Sequence, residues 1–324
     1  MNAAAVVPAE GVLLERVLAT TYSALNDGLS RDGFTRLDRA QRKTAWGLGH
    51  QHRVAMVAGA EVLASAQRYE LSGILDGQRV HICGIGGVCA GSGHADDHHE
   101  RALVDRLIAD ARRADADIAL LFITTGCTPY MPDGFDVIPT VDVELAVTES
   151  PRYGAPMTLV RSGEDRDLAA IAAMGQARAG AFRFHLDRDV DFVKHAVTRK
   201  RLLAGLGEAG VRELRFVIAE EGITAAAYLV ITVADRLWTI EECGDRDPTG
   251  ARVGAILQAL IALEPAERRP VIRGWLPPGF VPPQITIVSA KPSTQVLLGR
   301  HLKGEGRPLQ LSADEFMYWR SDMF

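Results

Sequence analysis

The chain has 324 residues, 47% hydrophobic and 24% charged, which is enough for one large domain or two of ordinary size. Its 36 basic and 41 acidic side chains give a net charge of -5, which disfavours general nucleic-acid binding and a membrane-surface partner. No apolar run reaches the roughly 18 to 20 residues of a membrane span, and no signal-peptide pattern is present, so we expect a soluble cytoplasmic protein.

The first half of the chain predicts helices followed by strands. Apolar residues at helical spacing indicate two helices over residues 12–53, and a strand is predicted around residues 54–64. The Asp76-Gly77 dipeptide between apolar runs is typical of a β-hairpin. A helix with one apolar face then runs to Ala114, and buried or alternating strands are predicted over residues 118–125 and 137–147.

The second half repeats this order. Prolines and a glycine in residues 151–156 separate the halves, which predicts domains over residues 1–149 and 150–324. A strand that enters a helix through a glycine-bearing turn occurs twice, about 155 residues apart at Val88 and Cys243. This spacing predicts a tandem repeat of one fold.

Three segments carry a resemblance to a known family: GIGGVCAGSGHADDHHERALVDRLI (84–108), LLFITT (120–125) and YMPDGF (130–135). In this order of elements the chain resembles the GNAT superfamily of acyl-CoA N-acyltransferases, most of all the tandem acetyltransferases of the enhanced intracellular survival type. The resemblance covers most of residues 12–147 and, more weakly, the C-terminal half.

The resemblance implies an α/β (α+β) fold of two tandem GNAT-like domains, each a mixed, mainly antiparallel twisted sheet flanked by helices. It also implies transfer of an acyl group from acetyl-CoA or another acyl-CoA to a small amine or amino-acid-like substrate. No nucleic-acid or membrane partner is expected, and homo-oligomerisation is left open.

The same resemblance assigns the cofactor-binding residues. The strand through Val88 would splay from its neighbour and pair its backbone with the pantetheine arm, and an N–H near Val88 or Cys89 would polarise the thioester carbonyl. The next helix would offer its N-terminal N–H groups to the CoA diphosphate. The predicted cofactor-binding residues are Val88, Cys89, Ala90, Ala95, Asp96, Asp97, His98 and His99.

Two catalytic residues follow from the resemblance. Tyr130, four residues before Gly134, matches the family tyrosine that faces the leaving sulfur; alternatively, it only covers a loop. The α-carboxylate of Phe324 is the candidate general base, and a frayed terminus is its alternative. Aromatic residues just before the end of the chain could dock this tail; they are Phe316, Tyr318 and Trp319.

The chain departs from the family in its pyrophosphate-binding loop, which is degenerate. Ala95-Asp96-Asp97-His98 replaces the usual Arg-Gly-x-Gly, so both glycines and the arginine are lost. Two like charges about 5 Å apart at an effective dielectric of 20 repel by about 3 kcal/mol, so Asp96 and Asp97 oppose a diphosphate. A second hypothesis is therefore a GNAT-fold binding or scaffold protein, or one that uses a different donor or reaction.

The HADDHHE segment (94–100) has a second interpretation. His94, Asp97 and His98 could ligate a metal ion that bridges to CoA, since imidazole and carboxylate suit zinc or another transition ion. The spacing matches no established metal motif, and a solvated helix-capping turn is favoured, so no metal site is predicted. The four cysteines contain no CxxC pair and predict reduced thiols; they are Cys83, Cys89, Cys127 and Cys243.

The second half contains a comparable turn, GDRDPTGARVGAIL (244–257). Its glycines, Gly250 and Gly254, with Arg246 and Arg252, could form a second anion-binding turn. Residues 273–285 interrupt the place of a second catalytic tyrosine, which favours a structural role for this half. An acidic strand end could attract an amine or simply be solvated; its residues are Glu241, Glu242, Asp245 and Asp247.

Overall fold

A computed structural model describes residues 4–91, 98–124, 134–148, 159–304 and 307–323. Contacts divide the chain into two units. Unit 1 comprises the described residues of Met1–Thr140 and Ser293–Glu315, and unit 2 those of Val141–Pro292 and Phe316–Met323. Residues 141–148 therefore belong to unit 2 by their contacts, and residues 293–315 belong to unit 1. A boundary at residue 149 places the first segment in the N-terminal domain and the second in the C-terminal domain.

The helices of the described residues leave polar faces to solvent and bury apolar ones. None of them is long and apolar enough to cross a membrane. They are α1 Gly11–Leu25, α2 Arg31–Gln41, α3 Ala45–His50, α4 His98–Arg113, α5 Leu168–Ala179, α6 Val190–Gly205 and α7 Ala251–Ala262.

The sixteen strands of the described residues belong to two sheets. In chain order they are β1 Ala5–Pro8, β2 Gln51–Ala58, β3 Glu61–Leu75, β4 Gln78–Ala90, β5 Ile118–Thr124, β6 Asp136–Ile138, β7 Val141–Val147, β8 Leu159–Ser162, β9 Phe184–Leu186, β10 Glu213–Glu221, β11 Thr224–Ala234, β12 Leu237–Asp245, β13 Val271–Gly274, β14 Ile285–Pro292, β15 Gln295–His301 and β16 Phe316–Met317.

The sheet of unit 1 has the order β1-β2-β3-β4-β5-β15-β6. Its strands are antiparallel except for β4 and β5. The predicted hairpin is confirmed: β3 and β4 meet at Asp76 and Gly77, both with positive φ (52° and 75°). One face of the sheet carries α4, whose predicted apolar face is buried at Leu103, Leu107, Ile108 and Ala111.

The sheet of unit 2 has the order β14-β7-β13-β12-β11-β10-β8, with β12 and β13 parallel. One of its apolar cores contains Val253, Ile256 and Leu257 of α7. Another contains residues of α5 and α6 with Phe216 and Tyr228 of the sheet. The mixed, mainly antiparallel sheets flanked by helices confirm the predicted fold class.

Three predicted elements need correction. The predicted strand over residues 54–64 is wrong, because a turn at Gly59 (φ 64°) separates β2 from β3. Two helices are predicted over residues 12–53, but the structure has three there, since α3 follows α2. The predicted strand over 137–147 is two strands, because the chain leaves one sheet after β6 and enters the other at β7, with Pro139 between them.

The predicted tandem repeat is visible in strand register. In unit 1, β4 pairs in parallel with β5 from Ile82 to Ile85, and in unit 2, β12 pairs with β13 from Leu237 to Ile240. Both β4 and β12 then continue for the same length beyond their last parallel pair. The separation between Ile85 and Ile240 equals that between Val88 and Cys243, so these positions are equivalent in the two units.

The close packing of β12 against β11 leads to a stability prediction. A Cβ added at Gly244 would lie 2.4 Å from the Tyr228 ring, which is fully buried. We expect Gly244→Ala to lower the free energy of unfolding by about 1 to 3 kcal/mol, the usual cost of overpacking. Urea denaturation of the full chain measures it. Gly205→Ala in α6, with nothing within 4 Å of its Cβ, is the matched control and loses no stability; equal midpoints for both variants contradict the prediction.

Candidate functional site

The candidate site of unit 1 lies where β4 and β5 separate. Among the described residues, parallel pairing stops at Ile85, and β5 continues against β15 alone. A bulge follows on β4, since Gly86 lies opposite Gln67 and Cys89 opposite Ser65. Gly87 in this bulge has a φ of 55°, which glycine adopts readily.

Three predicted cofactor-binding residues lie in this separated end of β4. Val88, Cys89 and Ala90 are half-buried and run alongside the gap left by β5. Gly91 follows and donates its N–H to the carbonyl of Leu63 (2.7 Å), which holds the strand end against β3. The backbone on the β5 side of β4 is thus placed for a ligand that adds as a short strand.

A carboxylate lies at the end of this backbone edge. The N–H of Ala90 donates to Oε1 of Glu100 (2.7 Å), a residue in the first turn of α4. His98 and His99 are the first residues of α4, with ring centroids 5.6 Å apart. The structure therefore brings Ala90, His98 and His99 to one end of β4 and adds Glu100, which the sequence analysis did not select.

The remaining predicted site residues lie outside the described residues. They are Tyr130, Phe324, Ala95, Asp96 and Asp97, together with His94 of the alternative metal site. Among the residues that the structure does describe, no group of three metal-ligating side chains is close enough to hold an ion.

Buried polar side chains of β2 and β3 lie beside the bulge in β4. Gln51 donates from Nε2 to Oε1 of Gln67 (2.7 Å), and the Tyr69 hydroxyl donates to the same oxygen. Because Gln67 is opposite Gly86, this row borders the separated strand end. The sequence analysis missed this polar row. The signal for it was the alternation of polar residues along a strand, at Ser65, Gln67 and Tyr69.

The thiols of the described residues supply no activated nucleophile in the sheet cores. Cys83, Cys89 and Cys243 form no disulfide. Burial raises the pKa of Cys83 to about 12, and burial also raises the pKa of Cys243 above its usual value. A thiol with such a pKa remains protonated near neutrality and is a poor nucleophile.

In unit 2, the equivalent strand end is filled by the chain's own side chains. By the register of the repeat, Glu241, Glu242 and Asp245 stand where unit 1 has Gly86, Gly87 and Ala90. Glu242 is fully buried and accepts hydrogen bonds from both terminal nitrogens of Arg188 (2.8 and 2.6 Å).

Further donors complete the environment of both glutamates. The Tyr228 hydroxyl donates to Glu242 at 2.6 Å and the Ser321 hydroxyl at 2.9 Å. Lys200 lies 2.7 Å from Glu241, which also accepts from the Thr232 hydroxyl at 2.7 Å. Paired in this way, the two carboxylates are neither solvated nor open to an amine.

The turn before α7 is likewise filled. Asp245 accepts from the N–H groups of Arg252 and Asp247 (both 2.8 Å), so its carboxylate holds donors at the helix N-terminus. A Cβ at Gly250 would lie 2.5 Å from the Phe280 ring, and one at Gly254 2.0 Å from Oε1 of Gln284. These glycines are therefore explained by packing, and the structural interpretation of this turn fits better than a second anion-binding site.

Comparison with known proteins identifies the fold. No family model and no curated protein matches the chain. A GCN5-related N-acetyltransferase from Anabaena variabilis superposes with a TM-score of 0.69 at 12% identity, covering 93% of this chain and 73% of that one. The fold is that of the GCN5-related N-acetyltransferases.

Two further solved structures match the fold of this chain. Eis1 from Mycobacterium abscessus has a TM-score of 0.57 at 14% identity, covering 91% of this chain and 73% of that one. N-myristoyltransferase from Saccharomyces cerevisiae with bound myristoyl-CoA has a TM-score of 0.55 at 10% identity, covering 92% of this chain and 82% of that one. The likeness to the Eis protein confirms the resemblance to tandem GNAT proteins at the level of fold.

The C-terminal tail of the GNAT-fold chain docks into unit 2. The predicted anchors Phe316, Tyr318 and Trp319 are all buried. The Tyr318 hydroxyl donates to the carbonyl of Asp322 (2.7 Å), and the N–H of Trp319 donates to Oδ2 of the same residue (3.1 Å). The tail is thus fixed as far as the residues before Phe324.

Arg188 serves two carboxylates at once, since its Nε also lies 2.9 Å from Oδ1 of Asp322. Burial, together with the charge of Glu242, raises the pKa of Asp322 to about 6 despite the opposing effect of Arg188. Burial alone would raise the pKa of Glu242 too, but the Arg188 guanidinium and its hydrogen bonds hold it below its usual value. One of the two acids therefore keeps its proton to a higher pH.

This arrangement predicts a pH dependence of stability. Between its ordinary value near 3.8 and about 6, Asp322 is protonated in the folded chain but ionised in the unfolded chain. Its contribution to the free energy of unfolding therefore falls as pH rises through this window. We expect Asp322→Asn, which mimics the protonated acid, to lose less stability than wild type from pH 4 to 6.

Urea denaturation across that pH range measures the difference. Asp235→Asn, at an exposed turn with a φ of 52°, is the control and should follow wild type. A constant stability difference between Asp322→Asn and wild type from pH 4 to 7 contradicts the prediction.

Proposed function

We propose that unit 1 is an acyl-CoA-dependent N-acyltransferase that acts on a small amine or amino-acid-like substrate. The observation that carries the proposal is the separated end of β4, which presents Val88, Cys89 and Ala90 beside a gap. The equivalent end of β12 in unit 2 is filled by Glu241 and Glu242. A GNAT fold with one open and one filled copy supports a single acyl-transfer site.

The proposed reaction begins with attack of a neutral amine on the thioester carbonyl. A backbone N–H at Val88 or Cys89 stabilises the oxyanion as the C–N bond forms. The C–S bond then breaks and the thiolate departs. The α-carboxylate of Phe324, or a water beside it, takes the proton that the amine nitrogen loses.

Tyr130 is the proposed partner of the leaving sulfur. A phenol of pKa about 10 gives its proton to a thiolate of pKa about 8.5 only at a cost of roughly 2 kcal/mol. A hydrogen bond from the hydroxyl to the developing thiolate stabilises it without full transfer. The tyrosine therefore acts on the leaving group, and its removal lowers kcat.

The polar row beside the bulge is the proposed acceptor-binding wall. Gln67 accepts hydrogen bonds from Gln51 and Tyr69 and borders Gly86, next to the gap. Amide and hydroxyl groups that are held by one another present a fixed set of donors and acceptors to a polar amine. Localisation to the cytoplasm is proposed with this activity.

Thiol release from acetyl-CoA with a panel of small amines tests the activity. We expect Tyr130→Phe to lower kcat by about tenfold or more, with the KM for acetyl-CoA little changed, because the lost hydrogen bond forms at the leaving sulfur. Tyr22→Phe, which removes a hydroxyl bonded to the Leu29 carbonyl, is the control. Turnover insensitive to Tyr130→Phe removes the tyrosine from the mechanism.

A second candidate is a GNAT-fold binding or scaffold protein, or one with another donor. The observation that favours it is Glu100, whose carboxylate already holds the N–H of Ala90, a group that acyl-CoA needs. Asp96 and Asp97 add negative charge before α4. A bridging metal at His94, Asp97 and His98 would offset this charge, and a chelator would then weaken CoA binding.

Calorimetry with CoA and acetyl-CoA distinguishes the two candidates. We expect binding by wild type and about fivefold tighter binding by Glu100→Gln, which removes a charge beside the site. Asp105→Asn makes the same charge change on an exposed part of α4 and should bind as wild type does. Absence of CoA binding by both wild type and Glu100→Gln rejects the acyltransferase and leaves the binding protein.

A further inference from the structure

A groove of about 510 Å³ opens in unit 2 beside Asp245, the last residue of β12. Its apolar wall is made by α5 and the segment that follows, and its other wall by the turn before α7. The lining residues used below are Ala173, Met174, Arg178, Phe182, Asp245 and Arg246. The volume lies within the range of sites for small organic ligands, roughly 300 to 1,000 Å³.

Two guanidinium groups line this groove without an ion pair to any described carboxylate. Arg178 stacks on Phe280, 4.0 Å from the ring centroid, and donates to the carbonyl of Pro248 at 3.2 Å. The side chain of Arg246 makes one hydrogen bond to a described residue, at 3.4 Å to the Thr224 hydroxyl. Burial lowers the pKa of the Arg178 guanidinium, and the charge of Asp245 only partly opposes this effect.

The acid nearest to these arginines is already engaged. Asp245 lines the groove, but its side chain is fully buried and accepts from the backbone of Arg252 and Asp247 and from the Arg252 guanidinium. Other cations of unit 2, such as Arg188 and Lys200, are paired with carboxylates. The groove therefore combines two guanidinium groups that lie outside any described ion pair with an apolar wall.

We propose that this groove binds an amphipathic monocarboxylate, whose head group lies between Arg178 and Arg246 and whose aliphatic body packs against Ala173, Met174 and Phe182. Planar guanidinium groups match a carboxylate in geometry and charge. A diphosphate is disfavoured, because Asp245 already holds the N-terminal donors of α7 and Phe280 fills the approach to Gly250. The inference concerns unit 2 and does not rest on the acyltransferase proposed for unit 1.

Calorimetry of the full chain with octanoate tests the site. We expect one site per chain with a dissociation constant of about 0.1 to 1 mM, in keeping with the size of the ligand. Octylamine, which has the same aliphatic chain and the opposite charge, should not bind. Acetate, which lacks the aliphatic body, should not bind either. Equal binding of octylamine, or no octanoate binding at 5 mM, overturns the proposal.

Variants locate the binding. Arg178→Met and Arg246→Met should each weaken octanoate binding by about fivefold or more, because each removes half of the positive charge. Arg236→Met removes a guanidinium that does not line the groove and whose hydrogen bond to a described residue is to the Arg269 carbonyl; this variant should bind as wild type does.

A steric variant covers the case in which Arg178→Met does not fold. Ala173 is exposed on the groove side of α5, so Ala173→Trp fills the groove without disturbing the core. We expect it to abolish octanoate binding and to leave the midpoint of urea denaturation unchanged. Octanoate binding that survives Ala173→Trp overturns the proposal.

Discussion

The separation of two parallel strands is the constraint on which the rest of this molecule depends. In each unit a strand pairs with its parallel neighbour over a short stretch and then continues without it, which leaves the backbone N–H and C=O groups on that side in need of partners. The two units meet this need in different ways. Unit 1 keeps small residues at the separated end, with one N–H held by Glu100, and unit 2 fills the equivalent space with paired carboxylates.

The filling of unit 2 is an expensive solution in electrostatic terms. Burying Arg188, Glu242 and Asp322 costs each of them its hydration, and the ion pairs only offset that loss. Such a cluster contributes more to a defined position than to net stability. The element that this cluster positions is the C-terminal tail, because Ser321 and Asp322 contact the same charged groups that close the strand end. Closing one copy of the site and fixing the end of the chain are thus parts of one arrangement.

Periodicity predicted the elements well where one face of each was buried. The α4 face and the hairpin at Asp76-Gly77 followed from local pattern alone, and the repeat followed from spacing. Local pattern failed at Gly59 and Pro139, where a single residue ends a strand inside an apolar run. These errors arise because hydrophobic alternation continues through a turn, whereas hydrogen bonding does not.

The candidate site was harder to predict than the fold. Gly250 and Gly254 have the composition of a phosphate-binding turn, yet Phe280 and Gln284 occupy the space beside them. Those neighbours come from a distant part of the chain, so no local signal distinguishes the two uses of glycine. The acidic strand end looked solvated for a similar reason, because its partners Arg188 and Lys200 lie on other elements. Glu100 was overlooked because its role depends on the backbone of Ala90.

The return of β15 to unit 1 has a consequence for biosynthesis. Residues 293–315 belong to unit 1, where β15 lies between β5 and β6 and pairs with both. Until the ribosome has delivered this late strand, β5 presents an open apolar edge, and β6 lacks its neighbour. Contacts of such large sequence separation form slowly, and an uncovered edge favours association with other chains. An emerging chain therefore cannot complete its first sheet until every strand of its second sheet has been synthesised.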